Sequence, residues 1–454
     1  MKYTKRIVIT ALPILLGSLA TYAADTQNHS NRSFPTQNAS RSVTENITQQ
    51  ALTEIQPEED IYRGTVFGAE QKSYPGTVLG QRTPAKKLLY DTSLVHAVKV
   101  EDADRIKTLL YANVDVNEKN YAGITPLTIA AEKGNMKIIE LLVERGKADV
   151  NNPSSYGITP LIAAVSAGQT QVVEYLLAHG ANAAVRDDLG KTPLLYAIKF
   201  DDPKMITLLV KADKRAVEVA DRTGNTPLIY ATQKGYTENV KSLIKYGADV
   251  NERNAVTGLS ALATAAAEGY TDLVKLLVKK YKADVNLPDA EGRTPIFYAI
   301  EKNQPDTLRA LLALKASPAQ ADHQGVTPLM QAVSHNRQDC IEQLMRHKKT
   351  DIHATDNNGR NAVSYSVYAR SISPLEKLLD AHVEMDTPDN DGNTPLMHAI
   401  LAKNDGAAIL LLKQGADKNH TNKKGETPTT LATQSLPRSG TARMLGLNIK
   451  KTQE

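Results

Sequence analysis

Residues 123–153 read GITPLTIAAEKGNMKIIELLVERGKADVNNP, and their spacing decides the fold. Leu127, Ala130 and Ala131 fall at steps of three and four; after Gly134, Ile138, Ile139, Leu142 and Val143 do the same. That periodicity predicts two short amphipathic helices per segment. Thr125 is a strong N-cap, Pro126 suits the first helical position, and Gly134 tolerates the left-handed conformation that ends a helix.

The pattern then repeats. Thr-Pro recurs at Thr125, Thr159, Thr192, Thr226, Thr294, Thr327, Thr394 and Thr427, with degenerate starts at Thr92, Ser260 and Asn361. These eleven starts are spaced 33 or 34 residues apart. With each start as position 0, position 2 is Leu in most units, as in Leu161, Leu228 and Leu262, and position 5 is Ala except at Ser366. A fixed period of this length means a stacked array in which each unit buries its core against its neighbours. About ten helix-turn-helix units are expected over 88–446, closed by a polar C-terminal cap at Thr427 and followed by a tail over 447–454.

The repeated TPL…A…G…(I/V)…LL…GADVN resembles the ankyrin repeat family over most of the chain. The resemblance implies an all-α solenoid of stacked antiparallel helix pairs, with turns projecting at right angles, used for protein binding. One departure is consistent. The family's His after Thr-Pro-Leu is replaced by Thr128, Ile162, Leu195, Ile229, Ala263, Phe297, Met330, Ser364 and Met397. Its hydrogen bonds to the neighbouring turn are therefore not expected, and apolar packing between units takes their place. The Asn361 unit lacks Thr-Pro and has Arg370 where Gly stands elsewhere, so the weakest internal interface is expected there. The Thr427 unit has Thr429 at position 2, and no proper second helix is expected in it.

The chain of 454 residues is 41% hydrophobic and 23% charged, an ordinary balance. Residues 1–23 read as a secretory signal peptide: a MKYTKR start, an apolar stretch from Ile7 to Ala20, and small residues before a cleavage point after Ala23. An uncleaved anchor is the alternative. The net charge is +4, and Lys2, Lys5 and Arg6 lie in that segment, which leaves +1. Overall charge thus argues for neither a nucleic-acid nor a membrane partner. Residues 24–58 are Ser-, Thr-, Asn- and Gln-rich and read as a disordered linker. Residues 59–87 read as an extended segment carrying a tandem motif, YRGTVFG from Tyr62 and YPGTVLG from Tyr74. It is either a small hairpin or strap, or a two-copy docking motif. Cys340 is the sole cysteine, so no intramolecular disulfide forms, and its helix face marks it as buried.

For function, the outward side of the first helix is the natural place to look. With position 2 at 0° and about 100° per residue, position 4 falls at about 200° and position 8 at about 240°, away from the core. Position 4 holds Tyr196, Tyr230, Tyr298, Tyr365 and His398, and position 8 holds Phe200, Lys234, Lys302 and His335. Tyr offers large contact area at low entropic cost, and the lysines favour an acidic partner segment. The alternative is that these rings only hold the stack. The charged turn tips are a second candidate surface.

Enzymatic patterns are poor. Gly190-Lys191-Thr192 lacks the upstream Gly of a phosphate loop, since Arg186 stands there, and Thr192 is a helix cap. No His-Glu-X-X-His or Gly-X-Ser-X-Gly occurs, and His323, His335, His347, His353 and His382 occupy different positions of their units. No enzyme activity, cofactor or metal is expected. The expectation is a monomeric scaffold binding a protein partner through a concave groove in the bacterial periplasm or envelope. The alternative is a secreted protein engaging host proteins.

Overall fold

The structure, a computed structural model, describes residues 93–447 other than Arg370. The segments read as signal peptide, linker and tandem-motif segment, and nearly all of the C-terminal tail, lie outside the described residues. Within them the chain is helical, with twenty-two α-helices and no strand. Two isolated bridges, Arg253 with Ser260 and Thr355 with Asn361, close turns between units.

Each unit has the same build. The Thr226 unit runs Pro227–Gln233, a turn at Gly235, then Thr237–Lys245. Its Thr226 hydroxyl accepts from the N–H of Ile229, satisfying a donor that the helix leaves free. Thr125, Thr159, Thr192, Ser260, Thr327, Asn361, Thr394 and Thr427 cap their helices the same way, whereas Thr294 does not. After the second helix the chain turns out into a projecting finger and returns at the next cap.

Position 5 explains the tight stack. Ala97, Ala130, Ala164, Ala197, Ala231, Ala265, Ala299, Ala332 and Ala399 are all 0% exposed, and Ser366 is 1% exposed. A residue with no side chain beyond Cβ lets neighbouring first helices meet at this level. Leucines at position 2 and the apolar residues of the second helices fill the layer beside them. Each buried aliphatic side chain there contributes about 1.5–3 kcal/mol.

Left-handed residues set the turn between the helices. Position 9 has positive φ at Gly134, Gly168, Gly235, Gly269, Asn303 and Asn336, as the sequence predicts, and also at Glu101 and Lys403, where no such residue was expected. The Thr192 unit has Asp201 at this position, outside that conformation. Its first helix is only Pro193–Ala197, five residues. The Asn361 unit is equally short, Ala362–Ser366. The unit expected to be weakest thus has a short first helix, and so does a unit whose sequence reads as regular.

The cap differs from expectation. The Thr427 unit does form a second helix, Gly440–Met444, with Ser439 as its N-cap. Asp405 of the preceding unit holds it, accepting from the N–H groups of Gly440 at 3.0 Å and Thr441 at 2.8 Å. Burial tends to raise the Asp405 pKa, but these bonds, led by Thr441, bring it below its ordinary value.

Candidate functional site

In more than half of the described units the finger is built on one carboxylate. In the Thr192 unit, Asp187 Oδ1 accepts from the N–H groups of Leu189 at 2.9 Å and Lys191 at 2.8 Å, which shapes the finger. Its second oxygen faces the first helix, where Tyr196 donates its hydroxyl at 2.6 Å. The same arrangement joins Tyr230 to Asp221 at 2.7 Å and Tyr365 to Asp356 at 2.8 Å, and Tyr298 bonds Asp289 likewise. In the Thr394 unit His398 takes the phenol's place, its Nε2 lying 2.9 Å from Asp389 Oδ2.

These contacts correct the outward reading of position 4. Tyr298 and His398 are buried, each 7% exposed. Tyr196, Tyr230 and Tyr365 are half-buried with their hydroxyls directed at the turn. A helical wheel separates core from solvent, but it contains no finger; here the finger of the same unit folds over that flank. The phenols brace finger to helix, nine residues apart.

Two braces carry an arginine at the residue before the cap. Arg293 Nε lies 2.9 Å from Asp289 Oδ2 and its guanidinium sits 5.1 Å from the Tyr298 ring centre. Arg360 repeats this with Asp356 at 2.7 Å and Tyr365 at 5.0 Å. Burial, more than the neighbouring carboxylate, pushes the hydroxyls of Tyr230, Tyr298 and Tyr365 well above the ordinary tyrosine pKa.

A second set of bonds runs between units. The residue at position 10 donates to a carbonyl near the end of the preceding first helix, one that the helix itself leaves free. Gln169 reaches Glu132 at 3.2 Å, Arg337 reaches Glu301 at 2.8 Å, and Asn404 reaches Val367 at 2.8 Å. Tyr236, Tyr270 and Gln304 do the same to Lys199, Gln233 and Ala267, each at 3.5 Å.

A family model for ankyrin repeats (3 copies) matches residues 94–187, 179–254, 240–322, 262–356, 329–422 and 365–453. The chain belongs to the ankyrin repeat family. A search of curated proteins finds no match to it. Ankyrin repeats are generally protein–protein interaction modules, and the family is typically a non-enzymatic scaffold.

The remaining candidates are scattered along this ankyrin array. Phe200 is half-buried, and its ring lies 3.3 Å from where a Cβ on Gly168 of the preceding repeat would stand. Lys234 is exposed, Lys302 lies 3.9 Å from Glu301, and His335 contacts the Gln331 carbonyl at 3.0 Å. The i, i+4 pairing of Tyr230 with Lys234 and of Tyr298 with Lys302 gives no cation–π contact; the cations over Tyr298 and Tyr365 are Arg293 and Arg360, from the finger. His398 also links repeats: its Nδ1 lies 2.9 Å from the Tyr368 hydroxyl, one repeat earlier. Burial tends to raise Asp389, yet His398 and the N–H groups of Asn393 and Asp391 bring it below its usual range.

Among the described residues no group of three or more His, Cys, Asp or Glu side chains is placed to hold a metal ion. Cys340 is fully buried, and burial pushes its thiol up to about 11, so it stays protonated and inert. No described helix is long and apolar enough to cross a membrane. At position 3 the replacements for the family's His are buried, from Met397 at 0% to Leu195 at 8% exposed. The turn's hydrogen bonding has moved one residue along the helix, to position 4.

The sequence carried a signal for this. Asp stands five residues before the cap in the repeats whose position 4 is Tyr196, Tyr230, Tyr298, Tyr365 or His398. Where the turn residue is Asn120, Ser154 or Asn422 instead, position 4 is Ile129, Ala163 or Leu431. Reading the two columns together finds the brace; reading position 4 alone does not.

Proposed function

We propose that this protein is a non-catalytic scaffold that binds a partner protein along the concave side of its ankyrin array. In this architecture the fingers and the ends of the first helices bound that side. One observation carries the reading. Six of the nine large apolar side chains left in solvent among the described residues lie there: Tyr121 is 78%, Tyr156 55% and Val256 61% exposed on fingers, and Val100, Tyr368 and Leu401 are exposed at first-helix ends, whereas Tyr111, Ile372 and Met444 lie on or beside second helices. Packing does not require a side chain at a finger tip, whereas interfaces favour aromatic anchors. Exposed Lys199 and Lys234 lie on the same side and suit an acidic stretch of the partner.

The half-buried tyrosines then serve as supports for the fingers rather than as the leading contacts. The amino-terminal reading places this activity outside the cytoplasm, in a bacterial periplasm or envelope. Retention on osmotic shock fits that location, and appearance in culture medium fits the secreted alternative.

The test is site-specific photo-crosslinking. A crosslinker at Tyr121 or Lys234 is expected to capture the same protein, and one at Lys241 on the second helix is not. Equal capture from both sides of the array would overturn the reading.

A further inference from the structure

The ends of the second helices form another surface. In the Ser260 repeat the second helix closes on Lys279, with Lys280 and Lys282 following. The neighbouring repeats place Lys245, Lys315, then Arg346, Lys348 and Lys349 at the same register, and all eight cations are exposed. Against them stand three carboxylates, Asp249, Asp284 and Asp351, each already accepting the N–H two residues on. Four successive repeats thus carry a net +5 along one edge. Among the described residues only Arg346 of the eight has an ion-pair partner, Glu342 at 3.4 Å.

The edge is bounded on its C-terminal side, where the Asn361 repeat has Asp380, Glu384 and Asp386 at this register and no lysine or arginine. On the other side the Thr192 repeat continues it with exposed Lys211, Lys214 and Arg215 against Asp213. Beyond that it ends: the Thr159 repeat has no charge there apart from His179, and in the Thr125 repeat Arg145 and Lys147 are balanced by Glu144 and Asp149. Averaging over the whole chain hides the strip, which is why the overall charge gives no argument for such a surface.

Helix ends account for part of it, since a cation in a last turn is favourable. Lys282, Lys315, Lys348 and Lys349 lie beyond the helix ends. Lys282 (φ 62°) and Lys315 (φ 72°) even adopt the left-handed backbone that Gly180, Gly247 and Gly415 take in other repeats. A side chain resists that conformation, and glycine does not.

The chemistry narrows the ligand. Seven of the eight are lysines, point charges that respond to a surface potential, whereas arginine is the residue suited to gripping individual phosphates. No large apolar side chain is exposed in these segments, and the rings of Tyr246 and Tyr281 are half-buried with Lys245 and Lys280 over them, so little there would insert between acyl chains. Repeats about 10 Å apart make the strip on the order of 30 Å long. We propose that this edge rests on an anionic phospholipid headgroup surface. The concave side stays free when it does.

Co-sedimentation of the full chain with vesicles tests this, comparing pure phosphatidylcholine with a mixture containing one-third phosphatidylglycerol. The anionic vesicles are expected to bind more protein, less so as salt is raised. The Ile7–Ala20 stretch and its flanking Lys2, Lys5 and Arg6 are the same in every edge variant, so any binding through them cancels when the variants are compared on one vesicle type. Each lysine changed to glutamine, at Lys279, Lys280, Lys348 or Lys349, is expected to lower partitioning about fivefold. Lys282→Gly and Lys315→Gly should weaken binding while raising the melting temperature, a pairing that a purely structural role does not produce. Unchanged partitioning in these variants would overturn the proposal. So would tighter edge-dependent binding to single-stranded DNA or polyglutamate than to the anionic vesicles.

Discussion

The Ser260 repeat and the Thr192 repeat start from one template and part at a single turn. In the first, the helix runs eight residues, Ala261–Glu268, and closes on Gly269 at φ 76°. Tyr270 then reaches back to the Gln233 carbonyl, and Gln304 of the next repeat reaches the Ala267 carbonyl. In the second, the helix stops at Ala197, Asp201 replaces the left-handed residue, and position 10 is Asp202, a carboxylate with no hydrogen to donate. The Thr-Pro start is perfect in Thr192 and absent from Ser260, so the start does not decide how well a repeat is joined to its neighbours. Positions 9 and 10 do. The Asn361 repeat arrives at the same short helix by other residues, with Ser371 at position 10.

The comparison can be pressed from its largest consequence to its smallest. Leu277→Ala in the Ser260 repeat and Leu378→Ala in the Asn361 repeat remove equally buried side chains, both at 0% exposure. Each should cost about 2–5 kcal/mol. Hydrogen exchange should separate them, with global loss of protection in the first and local opening around 361–383 in the second. Matching exchange patterns would dissolve the distinction between repeats that make the position-10 bond to the preceding copy and those that lack it.

Tyr298→Phe removes the phenol from a buried carboxylate still held by Arg293, and about 1–3 kcal/mol should be lost. Its pH dependence is the sharper measure. The folded pKa is raised, so the hydroxyl's contribution is complete below the unfolded value of about 10 and declines as pH rises past it. The wild-type chain should lose stability above that pH more steeply than the phenylalanine variant, in denaturant titrations at stepped alkaline pH.

Glu132, on the first helix of the Thr125 repeat, gives the opposite end of the scale. Burial pushes its carboxyl up to about 7, only partly offset by Lys133. A raised acid stabilises the fold below its unfolded pKa of about 4.3, and that contribution is lost as pH climbs to the folded value. Glu132→Gln should therefore raise the melting temperature at neutral pH and leave it unchanged near pH ~4. A larger gain in acid than at neutrality would show that the carboxylate is ionised and held.

The smallest effect tests the seam itself. Asn404 shows that one Asn can cap its own helix, accepting from Ala407 at 3.1 Å, while donating to the preceding repeat. Asp202→Asn should keep the cap on Lys204 and add the missing donor, for a gain of about 0.5–1 kcal/mol. No gain, with the cap intact, would mean that helix length alone makes that seam weak.

The architecture was largely legible. A period of 33 or 34 residues, caps at Thr and Ser260, and alanine at position 5 were enough to place the helices and the layer between them. What escaped were properties of the third dimension. Tyr230 is polar-faced on a wheel, yet Asp221 comes to meet it from a turn that the wheel leaves out. Asp201 reads as an ordinary turn residue, and only the missing left-handed step reveals that the helix ends early. The second helix at Gly440–Met444 was missed because its support is Asp405, a residue of another repeat. The cationic strip was missed because its members are spread over about a hundred residues of sequence and meet only when repeats stack.

The two bond sets described above differ in what they ask of their neighbours. The Asp–Tyr brace is contained within a single repeat, so it travels with that repeat wherever it is copied. The position-10 bond crosses to the next repeat but lands on a main-chain carbonyl, an acceptor that every residue possesses. Neither requires a particular side chain in the adjoining copy. Such a chain can lengthen or shorten by whole repeats through duplication or deletion without renegotiating its joints, and its reach can change while its fold stays the same.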